Sequence, residues 1–115
     1  MLIRYKKSFE KIAMGLLSFM PDEKDIKKLQ QSMKSYETDE SKQLFLWKED
    51  EDLIGLIGVE VHGNTVMLVD VSVNPSHRGQ GVGRKMVTSV KEFYPDFEFD
   101  ARKETASFLA KCIDC

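Results

Sequence analysis

Val66-Met67-Leu68-Val69-Asp70-Val71-Ser72-Val73, then Asn74-Pro75-Ser76-His77, then Arg78-Gly79-Gln80-Gly81-Val82-Gly83-Arg84-Lys85 is the stretch that decides the fold. Its first eight residues are nearly all apolar and rich in Val, the pattern of a central strand buried on both faces. Asn, Pro and Ser end that strand, because Pro cannot donate to a ladder and Asn and Ser favour turns. Beyond the glycines, Val82, Met86, Val87, Val90, Phe93 and Tyr94 recur at helical spacing. The unit is therefore strand, glycine-rich turn, helix. Such a unit aims unpaired backbone N–H groups and the positive helix end at one point, which suits a phosphate.

Working outward, Gly63-Asn64 is a two-residue hairpin turn that leads back into residues 53–61, an earlier strand. The acidic run Glu49-Asp50-Glu51-Asp52 joins that strand to residues 44–47, a further strand. Its spacing does not match a calcium loop, and a charge run of this kind reads as a solvated turn. Two amphipathic helices come before. One is capped by Ser8, with Phe9, Ile12, Leu16 and Phe19 on its apolar stripe. The other is capped by Asp22, with Ile26, Leu29, Met33 and Tyr36. Residues 1–6 fit a first strand. Past Pro95-Asp96, the alternation Phe97-Glu98-Phe99-Asp100 predicts a strand parallel to residues 66–73 in a right-handed crossover, and residues 104–111 predict a last short helix. The expected architecture is one domain over residues 1–115, α/β with a mixed sheet and helices on both sides.

Composition bounds the function. The 115 residues carry 17 Lys+Arg against 19 Asp+Glu, and a net charge of -2 argues against nonspecific nucleic-acid binding. No apolar run is long enough to span a bilayer and no signal-peptide pattern opens the chain, so a cytoplasmic protein without a membrane partner is expected. Cys112 and Cys115 form a lone C-x-x-C at a chain end, with His62 and His77 the only histidines. A zinc site would need two more ligands, so no metal is expected and the thiols read as ordinary and reduced.

Two familiar phosphate loops do not match the turn. The dinucleotide fingerprint needs G-x-G-x-x-G, and here Arg84 stands where the third glycine belongs. The Walker loop ends in Gly-Lys-Ser/Thr, and Gly83-Arg84-Lys85 does not. The string from Val73 to Gly83 instead resembles the acyl-CoA loop of the GNAT acetyltransferases, with its V-x-P-x-x-R-G preceding spaced glycines directly after a buried strand. The order of elements is similar to that family over nearly the whole chain. More narrowly, residues 1–19, 43–52 and the loop resemble the small GNAT proteins of bacterial riboflavin operons. Family members usually continue into two further strands that close the acceptor pocket. The expected fold is thus GNAT-like and lacks those two strands, which leaves the acceptor side open or completed by a second chain in a homodimer.

The resemblance implies acetyl-CoA as co-substrate and transfer of its acetyl group to a small-molecule or peptide amine. It places the pyrophosphate on Arg78, Gly79, Gln80, Gly81, Val82, Gly83 and Arg84. The pantetheine arm and acyl carbonyl go to backbone groups at Val71, Ser72 and Val73. Direct attack of an amine needs a base, and carboxylates are the natural candidates. Asp70 is conspicuous inside a buried strand. Burial forces a carboxylate to be paired or to hold its proton more tightly, so Asp70 is either a base or a structural partner of backbone or a nearby Arg/Lys. Glu60 on the preceding strand is the second candidate, against a simpler reading as a surface carboxylate. Leu109 and Arg102 occupy the positions where many members carry Tyr and Asn. Tyr94 and Tyr36 are acids only by elimination, since each is expected to pack in the core with its hydroxyl at the surface. The competing function is a non-catalytic acyl-CoA-binding or regulatory module.

Overall fold

Helices pack on both faces of the sheet because its inner strands alternate two apolar sets. The computed structural model describes residues 1–20, 25–102 and 105. In order these form β1 (Leu2–Arg4), α1 (Glu10–Leu17), α2 (Ile26–Thr38), β2 (Lys42–Glu49), β3 (Asp52–His62), β4 (Thr65–Val73), α3 (Val82–Phe93) and β5 (Glu98–Ala101). The sheet order is β1-β2-β3-β4-β5. The first four strands run antiparallel, and β5 pairs parallel with β4. This is the expected mixed sheet. All of the last predicted helix except Thr105, and the two cysteines, lie outside the described residues.

Phe45 and Trp47 of β2, with Ile57 and Val59 of β3, pack against Val82, Met86, Val87 and Val90 of α3. Leu44, Leu46 and Leu56 point the other way, onto Leu16 and Leu17 of α1 and Leu29 and Met33 of α2. Each fully buried side chain of this size contributes about 1.5–3 kcal/mol, so the sheet is held from both sides. One irregularity matters for the site. Gly58 pairs with Asp70 but Val59 pairs with Leu68, so Val69 is an extra residue bulged out of β4. A strand flips faces every residue, and the bulge resets that parity. Val66, Leu68, Val71 and Val73 therefore all pack with the α3 cluster, whereas Asp70 and Ser72 contact α2 and α1.

Three local expectations are corrected. Ser8 does not cap α1; it lies in a 3-10 turn, Lys7–Phe9, whose Phe9 N–H donates to Lys6 O (2.8 Å) and so satisfies an entry amide without a side chain. The cap of α2 is Asp25, whose carboxylate accepts from Lys27 N–H (2.9 Å). Ile12 and Phe19 are substantially exposed, because α1 buries Ala13, Leu16 and Leu17 instead. An eight-residue helix apolar on several sides offers more than one stripe, and small Ala13 permits the closer approach. Phe93 is likewise 48% exposed, its ring against Phe45 (5.4 Å between centroids) and under the Arg4 guanidinium (4.8 Å).

Side chains just after β1 tether it to α2. Tyr5 donates to Glu37 (2.9 Å), and Lys7 reaches both Glu37 and Glu10. Burial opposes the charged form of Glu37, but the hydrogen bonds from Tyr5 and Lys7 outweigh it and leave the carboxyl below its usual range. For the Asp25 cap, Asp25→Ala should cost about 1 kcal/mol. A thermal melt should show that as a midpoint lower by several degrees. An unchanged midpoint would show that α2 is held by its buried face alone.

Candidate functional site

Chain chemistry after β4 builds a narrow, amide-rich turn. Asn74 N–H makes the last ladder bond to Ile54 O (2.8 Å), and its side-chain oxygen accepts from Ser76 N–H (3.0 Å) to start a 3-10 turn over Pro75–His77. Gly79 and Gly81 then adopt left-handed backbone, at φ 81° and 78°, which an L residue with a Cβ enters only at a cost. Gly81 is the N-cap of α3 and offers no side chain to its first amides. Lys85 N–H donates to Gly81 O (3.1 Å), which leaves the preceding amides of that first turn as orphan donors at the positive helix end.

Beside the turn the sheet opens. β4–β5 pairing stops at Leu68 with Ala101, although β4 continues to Val73. Leu68 O sits at the apex and accepts from Arg102 N–H (3.2 Å) and from the Thr105 hydroxyl (2.7 Å). Asn74 belongs to a hydrogen-bonded pair with Ile54. Ladder bonds alternate every second residue, so Ser72 turns its backbone groups to β3, while Val71 and Val73 turn theirs to the open side. Val73 O accordingly accepts from Arg78 Nε (3.2 Å).

Turn and opening together enclose a cavity of about 400 Å³, a size ordinary for cofactor sites. Of the residues predicted to hold the cofactor, Val71, Ser72, Val73, Arg78, Gly79, Gly81, Val82, Gly83 and Arg84 border it, and Gln80 does not. The Ser72 hydroxyl is already committed to Leu16 O (2.5 Å), so this residue ties α1 to the cavity wall. The sequence reading missed two wall residues, Phe19 and His77. His77 lay inside the quoted loop. Phe19 had no local signal, because α1 reaches the cavity only through packing; its ring lies 5.7 Å from the Arg78 guanidinium carbon.

The carboxylate candidates differ in their surroundings, and neither borders the cavity. Asp70, 2% exposed, accepts from the Tyr36 hydroxyl at Oδ2 (2.5 Å) and from Arg102 Nη2 at Oδ1 (3.1 Å). The hydroxyl of Tyr36 is therefore buried on Asp70, not at the surface as expected. Arg102 is the nearby cation that the structural reading of Asp70 required. Glu60 pairs with Met67, toward the other end of β3, where it contacts His62; it does not border the cavity. Tyr94 stacks between Phe93 and Phe97 (5.5 and 5.4 Å), and burial pushes its phenol pKa up. Among the described residues no His, Cys, Asp or Glu group converges as a metal site, and no helix is long and apolar enough to cross a membrane.

Comparisons with known proteins agree with this geometry. The sequence model of the acetyltransferase (GNAT) family matches residues 9–108. An uncharacterized N-acetyltransferase from the lysA 3′ region of Bacillus methanolicus is 63% identical over 116 residues, covering 100% of this chain and 97% of that protein. A possible acetyltransferase from Clostridium difficile 630 superposes with TM-score 0.79 at 13% identity, over 100% of this chain and 89% of the other. The aminoglycoside enzyme AAC(6′)-Iy, solved with the bisubstrate analogue CoA-S-monomethyl-acetylneamine, gives TM-score 0.76 at 14% identity, over 98% and 85%. At such identities the two structures speak for the fold alone.

Proposed function

From the premise that this chain belongs to the acetyltransferase (GNAT) family, acyltransferases with acetyl-CoA as co-substrate, we propose that it acetylates an amine by direct attack on the thioester. The observation that carries the reading is the opening of β4 from β5 beside a left-handed glycine turn with orphan helix amides. The residues fit the co-substrate: amides 82–84 and the Arg84 guanidinium suit two phosphates, and no Cβ stands on Gly79 or Gly81 to keep them away. The backbone groups of Val71 and Val73 suit the amides of a pantetheine arm. An N–H at the bulge aimed at the thioester oxygen would add about 2.7–4 kcal/mol of transition-state stabilisation.

Asp70 stands one residue beyond the bulge, on the α1–α2 face, directly before the cavity-lining Val71, and is the base we assign; Glu60, toward the far end of β3, becomes the weaker candidate. The amine nitrogen bonds to the acyl carbon, the C–S bond breaks, the surplus ammonium proton passes to Asp70, and the departing thiolate takes a proton from water. The acceptor is a small-molecule or peptide amine. Placement beside riboflavin biosynthesis is a narrower proposal, supported by the resemblance to the small GNAT proteins of bacterial riboflavin operons; the Bacillus methanolicus relative is described by its position near lysA.

A second reading, acyl-CoA binding without transfer, draws on one observation. Both Asp70 oxygens already have a donor. Two measurements decide. Acetyl-CoA at a hundred times its Kd should stabilise the fold by about 2.7 kcal/mol, and a flat thermal-shift titration removes both readings. Thiol release should then be followed with spermidine, an aminoglycoside, a lysine-containing peptide and a flavin-precursor amine. Asp70→Asn should lower kcat at least tenfold with KM for acetyl-CoA retained. Undiminished turnover in that variant would remove Asp70 as the base.

A further inference from the structure

Tyr36 is held against Asp70 by more structure than a buried hydroxyl needs. It comes from α2, is 8% exposed, and donates to Oδ2 at 2.5 Å, the short range of a charge-assisted bond. Gly58 is the register partner of Asp70 on β3, and a Cβ at position 58 would overlap the Tyr36 hydroxyl and its ring carbon. The missing side chain is thus the notch that admits the phenol. Arg102 holds Oδ1 from the segment that follows β5. The bulge at Val69 turns Asp70 onto the face where both partners stand. Four separate elements converge on the orientation of one carboxylate.

A buried ionic cluster is weak evidence of a stabilising role, even though removing one of its partners is costly. Buried ionic clusters replaced by apolar residues of similar volume are often neutral or stabilising, so a cluster built from four elements points to a role in the site. We infer that Tyr36 is a positioning residue for the transfer reaction, fixing the plane of the Asp70 carboxylate beside the bulge while Arg102 fixes its other oxygen. The inference rests on the transferase reading above, with Asp70 as base. Tyr36 touches neither thioester nor amine in this scheme; it acts through Asp70. A base held within a narrow range of angles meets the ammonium proton in the productive geometry more often, and loss of that hold lowers kcat without weakening either substrate.

Tyr36→Phe keeps the ring and removes only the donor. With acetyl-CoA and spermidine, an aminoglycoside or a lysine-containing peptide, its kcat should fall about tenfold. KM for acetyl-CoA and for the amine should stay unchanged. Combined with Asp70→Asn it should add less than twofold to the loss, because the two residues act as one unit. Circular dichroism checks that both variants fold. A Tyr36→Phe enzyme with full kcat, or losses that multiply in the double variant, overturns the positioning role while the Asp70 assignment stands. If Asp70→Asn itself turns over normally, or the unmodified protein releases no thiol with any of the three amines, the underlying reading falls and this one with it.

Discussion

Gly81→Val should reduce acetyl-CoA affinity at least a hundredfold while leaving the protein folded. Gly81 caps α3 at φ 78° and borders the cavity, and a Cβ built there meets no atom within 4 Å. An added Cβ therefore meets no neighbouring atom, and the strain within the fold is that of the backbone. Its costs are two: about 1–2 kcal/mol for forcing an L residue into left-handed backbone, and branched carbons standing over the amides that would hold the pyrophosphate. Hydrogen bonds to charged groups are worth about 1.5–3 kcal/mol each, so losing two of them alone exceeds a hundredfold. Gly63→Val supplies the control. It shares the left-handed backbone (φ 58°) and open surroundings but sits in the β3–β4 hairpin away from the cavity. Isothermal titration should show near-normal affinity for Gly63→Val and none measurable for Gly81→Val. Equal affinity in the two variants would refute the pyrophosphate assignment.

Gly58→Ala should cost about 3 kcal/mol in urea denaturation. Position 58 has ordinary strand backbone, so the conformational argument for glycine does not apply there. Space decides instead. The added Cβ occupies the volume of the Tyr36 hydroxyl, so the ring must withdraw and the Asp70 carboxylate loses a strong donor inside the sheet. Overpacking of a tight core costs about 1–3 kcal/mol, and a buried polar group deprived of its partner costs about as much again. Against a typical total of about 5–15 kcal/mol the protein should remain folded at room temperature and melt much earlier. Its kcat should match that of Tyr36→Phe, since both release the same oxygen. A stability loss under 1 kcal/mol would mean the phenol has another way to reach Asp70.

Gly58 also shows why part of the site was hidden. In the run Leu53-Ile54-Gly55-Leu56-Ile57-Gly58-Val59 it looks like a glycine that merely weakens a strand. Its meaning depends on Tyr36 from α2 and Asp70 from β4, residues distant in sequence that meet only after packing. The same holds for Phe19, which the helical stripe of α1 assigned to the core and which borders the cavity. Asp70 was conspicuous in the sequence because a carboxylate interrupts an apolar strand, yet its partners were not.

The sequence by itself determined the strand–turn–helix, the antiparallel hairpins before it, the parallel strand after it, and which backbone amides would be left without partners. These are consequences of local chemistry: period two against period 3.6, proline without an N–H, glycine with access to positive φ. Only the tertiary structure decided where β4 leaves β5, which residue bulges, and which neighbours hold Asp70. A bulge is defined by the partner strand's residue count, and a buried carboxylate by side chains arriving from other elements. Neither is a property of any one stretch of chain, so both had to wait for the fold.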